Sequence, residues 1–251
     1  SLPMMPIPEA RRSRHALRHQ MAGLGYQEVI NYSFVPEKWE SDFAGNSSML
    51  KLANPIASQM SVMRTSLIGG LVSSLQHNLN HGESRLKLFE IGRCFLRDEV
   101  SLAARPERLA GLAYGSRYPE QWGEGGQKGP AGDFFSVKGE VETLLQGLAP
   151  RFEKASHPAL HPGRSASISV GGKAVGVIGE LHPQWQQAYD LPAAPVLFEL
   201  DLAAFAGTLA PAFVPFSRMQ SARRDLALLV ADFVEIQAMV DAVMHLKLPS
   251  L

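Results

Sequence analysis

Two β-prone runs separated by a pair of glycines form the feature that most constrains how this chain folds. Residues 166–170 and 174–178 are rich in alanine, valine and isoleucine, and Gly171 and Gly172 stand between them. Glycine adopts positive φ without strain, so a glycine pair closes the tight turns that join antiparallel strands. The sequence therefore predicts a β-hairpin here, within a sheet that is at least partly antiparallel.

The remaining periodic segments mix helix and strand patterns without a regular order. Leucines spaced four apart predict a helix from Leu67 to Leu79, and a second helix is predicted from near Asp133 to Leu148. Further predicted elements are a helix at 184–189, β-prone runs at 28–35, 85–96, 108–114 and 196–200, and a glycine-rich surface loop at 117–132. Because these elements do not alternate as βαβ units, we expect an α+β fold, an antiparallel sheet flanked by helices.

A basic helix is predicted at residues 9–24, where Pro8 and Glu9 suit a first turn and glycines follow the last one. Leu17, Met21 and Leu24 form its apolar stripe. The basic residues around that stripe are Arg11, Arg12, Arg14, His15, Arg18 and His19. Two interpretations of them stay open: a solvated helix face, or contact with RNA or an acidic partner.

The chain of 251 residues is expected to hold one main domain and part of a second. Residues 1–8 are proline-rich and predict a linker from an upstream domain, so the main domain spans 9–206. Prolines mark a linker at 207–221, and residues 222–251 supply one predicted strand and one predicted helix. One strand cannot make a stable sheet, so this end is expected to be the truncated start of another domain.

The balanced numbers of acidic and basic residues exclude a strong electrostatic field around the whole chain. Lys+Arg and Asp+Glu both number 24, so no net charge draws the chain to DNA, RNA or an anionic membrane. Its single cysteine, Cys94, cannot form an internal disulfide, which fits a reducing compartment. No apolar run approaches the roughly 20 residues of a membrane span, and the first residues lack the order of a signal peptide. We expect a cytoplasmic location.

No catalytic or metal-binding constellation is predicted from the residues alone. His157 and His161 are four apart but lie among prolines that favour a turn, and His77 and His81 suit a helix end. Cys94 lies in a predicted strand, where a buried inert thiol is the ordinary outcome. The sequence contains no GxGxxG, GxxxxGK[ST] or GxSxG motif, so it offers neither a phosphate cradle nor a nucleophile elbow.

Collinear blocks along nearly the whole chain resemble the beta subunits of bacterial-type phenylalanyl-tRNA synthetases. The early blocks are GLGYQEVINYSFV at 23–35, the run from Asn54-Pro55 to MRTSL at 63–67, and LFEIGR at 88–93. The later blocks, in the same order, are FFSVKG at 134–139, HPGRSA at 161–166, GVIGELHP at 176–183 and FEL at 198–200. Phe216-Ser217-Arg218 with RRDLA at 223–227 resembles the opening of that family's ferredoxin-like anticodon-binding domain.

The resemblance implies a class II synthetase core-like domain followed by a truncated ferredoxin-like domain. It implies a partner alpha subunit in an α₂β₂ ligase that charges tRNA(Phe) with phenylalanine, with ATP and magnesium used by the holoenzyme. The family's beta-subunit magnesium and editing sites would lie upstream of this chain, so we expect no cofactor, no metal, no DNA and no membrane here. The resemblance further implies a subunit interface at Leu17, Met21 and Leu24, and tRNA-facing residues at Arg218, Arg223 and Arg224.

The chain departs from an active class II site in ways that favour a non-catalytic module. Residues 92–98, which include Arg93 and Arg97, resemble the first half of motif 2, but PERLAG at 106–111 replaces the second half, and no GxGxxR motif 3 is present. Positioned charge stabilises a reacting phosphate, and half of it is missing, so we expect no catalytic residue and structural roles for both arginines.

Two alternatives to the non-catalytic module remain from the sequence. A stand-alone RNA-binding protein usually carries a domain-wide basic surplus, which this chain lacks. A small-molecule enzyme would need a deep polar cleft lined by paired titratable groups.

Overall fold

A computed structural model describes residues 12–97, 105–122, 130–207, 213, 215–216, 220, 223 and 225–246. The chain divides into two compact units, residues 1–211 and 212–251. The first unit contains all the strands that the structure describes, and the second contains one helix.

The strands of the first unit form one large sheet and one small pair. The strands are β1 (Gln27–Glu28), β2 (Phe34–Val35), β3 (Val62–Met63), β4 (Leu86–Arg93), β5 (Glu107–Tyr114), β6 (Arg151–Lys154), β7 (Leu160–Val170), β8 (Lys173–Leu181) and β9 (Val196–Asp201). Among the described residues, the large sheet has the order β1-β4-β5-β9-β8-β7-β6, and β2 pairs with β3 separately. Only β1 runs parallel to its neighbour, and the other pairs are antiparallel.

Helices of the first unit flank the large sheet. The helices are α1 (Arg14–Gly23), α2 (Glu37–Trp39), α3 (Ile68–Asn80), α4 (Phe134–Leu144), α5 (Pro183–Ala188) and, in the second unit, α6 (Ile236–His245). A π-helical turn at Glu40–Ala44 continues α2, and 3₁₀ turns lie at Ser58–Met60 and Leu202–Gly207. The expected α+β fold, a largely antiparallel sheet flanked by helices, is confirmed.

The sheet separates two apolar cores because successive side chains of a strand point to opposite faces. On β4, Phe89 and Ile91 point to the face that α1 and α4 cover. Leu88 and Glu90 point to the opposite face, which α3 and the π-helical turn cover, and which we call the α3 face. The two cores make the first unit a layered structure with helices on both sides of the sheet.

The predicted hairpin is confirmed. β7 and β8 pair from Val170↔Lys173 back to Leu160↔Leu181, and the turn has positive φ at both Gly171 (57°) and Gly172 (78°). Positive φ at two central residues defines the turn whose twist matches the flanking strands. The helices predicted from the leucine repeat and after Asp133 are also present, as α3 and α4.

The helix predicted at 9–24 is too long at its start, because residues 12 and 13 are not helical. Ser13 has extended backbone angles (φ −73°, ψ 157°), and its hydroxyl accepts a hydrogen bond from the Ala16 amide. Serine in this role satisfies an amide that the first helical turn leaves free. Helix α1 therefore begins at Arg14, while residues 9–11 and the predicted 1–8 linker lie outside the described residues.

The continuous strand predicted at 28–35 is also wrong. The segment forms only the ends β1 and β2, which belong to different sheets. Between them, the side-chain amide of Asn31 donates a hydrogen bond to Glu90, and the backbone carbonyl of Ser33 accepts one from the backbone amide of Arg64. Hydrogen bonds to neighbouring elements replace a strand ladder here.

Two further strands differ between the sequence prediction and the structure. β6 was missed because RFEK is a short, charged sequence, which is typical of an edge strand. The strand predicted at 224–230 is absent over the described residues 225–230, which are exposed and have no described strand beside them. The helix predicted after it is present as α6.

Candidate functional site

Three buried glutamates form the main polar feature of the α3 face. Glu40 comes from the π-helical turn, Glu90 from β4 and Glu199 from β9, and all three are almost inaccessible to solvent. They converge on residues 64–67, which lead directly into α3 and which we call the 64–67 segment. Buried carboxylates need partners, and this segment supplies most of them.

Glu90 binds the first residue of the segment. Arg64 Nη1 donates to Glu90 Oε1 at 2.7 Å, and Asn31 Nδ2 donates to Glu90 Oε2 at 2.8 Å. Arg64 Nε also donates to the Arg93 carbonyl at 3.1 Å. A Cβ atom at Gly92 would lie 2.3 Å from Arg64 Nη2, so glycine is required there for the arginine to fit.

Glu40 and Glu199 bind the next three residues. Glu40 accepts from the Thr65 amide at 2.9 Å and from the Thr65 hydroxyl at 2.6 Å. Glu199 Oε1 accepts from the Ser66 hydroxyl at 3.0 Å and from the Leu67 amide at 2.7 Å. Each residue of the 64–67 segment therefore donates to a buried glutamate, which fixes the start of α3 on the sheet.

Arg108 neutralises Glu199 from β5. Its Nη1 donates to Glu199 Oε2 at 2.5 Å and to the Thr65 carbonyl at 2.9 Å. Its Nε lies 3.3 Å from Asp201 Oδ1 but is buried without an acceptor at hydrogen-bond geometry. Arg108 thus links β5 and β9 to the 64–67 segment.

An open cleft of about 880 Å³ lies beside this cluster on the α3 face. Its lining residues come from six parts of the chain. These are the end of the π-helical turn with the loop after it, the 64–67 segment, the residues that follow β4, strand β5, the residues that precede β7, and strand β9. The lining residues are Ala44, Gly45, Asn46, Ser48, Thr65, Ser66, Leu96, Arg97, Arg108, His157 and Glu199. Burial lowers the pKa of His157, which keeps the ring neutral near pH 7.

The histidines and the cysteine identified in the sequence do not meet in one place. His157 Nδ1 accepts from the Ala159 amide, His161 Nδ1 accepts from Gly163, and the stacked rings of His77 and His81 lie at the end of α3. Burial, with the charge of Glu199, raises the pKa of the Cys94 thiol to about 12, as expected for an inert thiol. Within the described ranges, no three His, Cys, Asp or Glu side chains are grouped as metal ligands would be.

Leu17 and Met21, which are predicted to form a subunit interface, lie in the core of this chain. Leu17 is 1% exposed and Met21 is fully buried, in the core that α1 shares with α4 and the sheet, and the half-buried Leu24 packs against that core. Hydrogen bonds from Gln20 to the Thr143 carbonyl and from Arg12 to the Gln146 carbonyl fasten α1 to the end of α4. The stripe faces inward because the sheet needs this apolar cover.

The arginines identified in the sequence lie apart. Arg93 is exposed and pairs with Glu107 at 3.4 Å, whereas the exposed Arg97 lines the cleft. Arg223 is exposed, and Arg218 and Arg224 lie outside the described residues.

Sequence reasoning missed the three glutamates, although two of them carried a signal. Glu90 and Glu199 each interrupt an apolar strand, in LKLFEIGR and VLFELD. A lone carboxylate in a strand that is otherwise buried indicates a buried partner. Glu40 carried no comparable signal, because it lies in a polar stretch whose π-helical turn the sequence does not predict.

The fold of this chain resembles that of a solved aminoacyl-tRNA synthetase. The structure of a pyrrolysyl-tRNA synthetase, PylSc from Desulfitobacterium hafniense, superimposes with a TM-score of 0.55 at 11% identity, over 78% of this chain and 66% of that one. At that identity the similarity shows the fold alone, and the fold is that of a class II aminoacyl-tRNA synthetase core.

Sequence comparison then defines the family. Residues 2–202 match the family described as the phenylalanyl tRNA synthetase beta chain CLM domain, and the chain belongs to that family. Curated relatives named phenylalanine–tRNA ligase beta subunit are 50% identical in Ralstonia nicotianae and 53% identical in Chromobacterium violaceum. Both matches cover 95% of this chain but only 30% of the relative, so the chain spans about a third of their length.

No described helix is long and apolar enough to cross a membrane.

Proposed function

We propose that this chain is a non-catalytic, core-like module of the beta subunit of a phenylalanine–tRNA ligase. It supports assembly with the catalytic alpha subunit and tRNA binding, in the cytoplasmic, ATP-dependent charging of tRNA(Phe) with phenylalanine. The family match and the curated relatives support this function. In this proposal ATP and magnesium are bound by other parts of an α₂β₂ enzyme.

The observation that carries the non-catalytic assignment is the use of the buried charges on the α3 face. Arg64 and Arg108, the buried or half-buried arginines of the described cluster, are both paired with glutamates of this chain. Those pairs hold the 64–67 segment across β4, β5 and β9. A phosphate-transfer site needs guanidinium groups whose charge can stabilise the reacting phosphate, and here glutamates of this chain neutralise the charge of both arginines.

ATP–pyrophosphate exchange tests this assignment. The purified chain with phenylalanine, ATP and magnesium should give no exchange above background, whereas the assembled α₂β₂ enzyme should exchange. Exchange by the chain alone that disappears in Arg97→Ala would show that the module is catalytic.

For assembly, the exposed loop after β1 is the best-supported surface. Ile30 and Tyr32 are 92% and 73% exposed, although both are large and apolar. Asn31 between them is fixed, because its side chain bonds Glu90 and accepts from the Ser74 hydroxyl at 3.1 Å. A rigid loop that presents apolar side chains at the edge of a sheet is suited to docking on another protein.

Co-purification with a tagged alpha subunit measures the contribution of this loop. Ile30→Asp and Tyr32→Asp should each reduce recovery of the complex, since a charge would be buried against apolar surface. Ile56→Asp is the matched control, because Ile56 is equally exposed but lies outside the loop. Equal recovery of all three variants would remove the loop from the interface.

The tRNA contact is proposed at Arg218, Arg223 and Arg224. In the assembled enzyme, changing all three to alanine should weaken tRNA(Phe) binding and flatten its dependence on salt concentration, because phosphate contacts release counterions. An unchanged salt dependence would place the tRNA contact elsewhere.

A further inference from the structure

The cleft on the α3 face has the size of a small-molecule site. Its volume of about 880 Å³ lies in the range of small-molecule pockets, roughly 300–1,000 Å³. It is open to solvent, and its walls come from six separate parts of the chain. The non-catalytic function proposed above gives this cleft no role.

The side-chain acceptors of Glu199 and Asn46 in the cleft are already used. Glu199 receives three hydrogen bonds, from Ser66, Leu67 and Arg108, so neither carboxylate oxygen is without a donor. Asn46 donates to Glu40 at 3.0 Å and accepts from the Ser48 amide at 2.9 Å. A ligand that brings hydrogen-bond donors would therefore find few acceptors.

Donors, in contrast, remain available. The hydrogen bonds of Arg108 within the described structure all come from Nη1, although a guanidinium carries five N–H groups. His157 Nδ1 accepts from the Ala159 amide at 3.2 Å, so the neutral ring carries its proton on Nε2 and is a donor. The exposed Arg97 adds a second guanidinium to the lining.

We propose that this cleft binds a small molecule through a compact oxyanion, a phosphate or carboxylate group, held by Arg97 with Arg108 and His157. Guanidinium groups match both anions because their N–H groups are arranged as a planar fork. Glu199 and Asp201 balance Arg108, whereas Arg97 is a guanidinium of the lining that no described carboxylate pairs with. Binding here needs no catalysis and no partner subunit, so it can be measured on the chain alone.

NMR titration of the isolated chain tests the proposal, with inorganic pyrophosphate and malonate as the phosphate and carboxylate probes and glycerol as the neutral one. At least one anion should saturably shift the signals of Ser66 and of the His157 ring, and glycerol should shift neither. Arg97→Ala should weaken that binding by about tenfold or more, because a charge-assisted hydrogen bond is lost. The control Arg93→Ala, at an exposed arginine at the end of β4 and outside the cleft lining, should change it by less than about twofold.

The outcome separates this proposal from the proposed function. If neither anion shifts Ser66 or His157, or if Arg97→Ala and Arg93→Ala bind equally well, the cleft is not an oxyanion site. ATP–pyrophosphate exchange and co-purification with the alpha subunit do not depend on that result.

Discussion

At the scale of single residues, the three buried glutamates explain why the polar sequence Arg64-Thr65-Ser66 can be packed against the sheet at the start of α3. Glu90 faces a positive partner, Glu199 shares Arg108 with Asp201, and Glu40 accepts only from neutral donors. Burying a carboxylate is costly unless its oxygens are hydrogen-bonded. Each glutamate therefore stabilises the fold only while the 64–67 segment stays in place.

Removal of Arg64 should expose this dependence. Both side chains of the Arg64–Glu90 pair are about 95% buried, so Arg64→Met leaves a carboxylate without its counter-charge. We expect the free energy of unfolding, measured by urea denaturation, to fall by about 3–5 kcal/mol. Adding Glu90→Gln to Arg64→Met should restore part of this loss, since the buried charge is gone.

An exposed arginine on β4, the strand that carries Glu90, provides the control for that experiment. Arg93 pairs with Glu107 at the surface, so Arg93→Met should cost less than about 1 kcal/mol. Equal losses for Arg64→Met and Arg93→Met would mean that the buried pair is not a main support of the fold.

Cys94 gives the stability a specific dependence on pH. Burial raises the pKa of its thiol from 9.0 to about 12, so between these values the unfolded chain ionises while the folded chain stays protonated. The contribution is fully present below pH 9 and is lost as pH rises toward 12. At pH 10.5 we expect about 2 kcal/mol less stability than at pH 8 from this thiol alone.

Comparison with Cys94→Ala isolates the effect of the thiol. Urea denaturation at pH 8 and pH 10.5 should show a smaller loss for the alanine variant than for the parent chain. Identical losses would mean that the thiol ionises as readily in the folded state as in the unfolded state.

At the scale of elements, the sequence predicted correctly those turns, helices and caps that depend on residues close together in the chain. The Gly171-Gly172 turn, the leucine face of α3 and the Asp133 cap of α4 depend on residues close in sequence, and all three are present. The direction of an apolar stripe depends on distant residues instead. The stripe of α1 was assigned to a partner because most of its cover, α4 and strands β4 to β9, lies more than 60 residues away in sequence.

The polar cluster was not predictable for the same reason. Glu40, Glu90 and Glu199 come from three elements spread over 160 residues, and only the sheet order places them around the 64–67 segment. A single sequence shows that two of them interrupt apolar strands. It does not show which donors they meet.

The orientation of α1 can be tested within one helix. Leu17→Asp places a charge in the core between α1, α4 and the sheet, and should unfold the first unit. Ala16→Asp, at the adjacent exposed position in the first turn, should be tolerated, because an acidic residue there suits the helix dipole. Circular dichroism melting measures both, and a folded Leu17→Asp variant would mean that the stripe does not pack inward.

At the scale of the whole molecule, the two units differ in what they bury. The first unit buries most of its large apolar side chains in two cores and pairs many of its charges internally. In the second unit, the described apolar residues are largely exposed: Phe213, Phe216, Leu226, Leu228, Leu229, Val230, Phe233, Ile236, Val240, Val243, Met244 and Leu246. The structure does not confirm a ferredoxin-like fold for this unit, which remains our proposal.

Hydrogen exchange should separate the two units. Helix α6 has ten residues and buries none of them, and an isolated helix of that length is marginal in water. Its amides should therefore exchange at least about 100-fold faster than those of the β7–β8 hairpin, whose strands lie within the sheet and line both cores. Mass spectrometry of peptides covering 160–181 and 236–245 measures both in one sample. Equal protection of the two peptides would mean that α6 is buried in solution, and the prediction would be wrong.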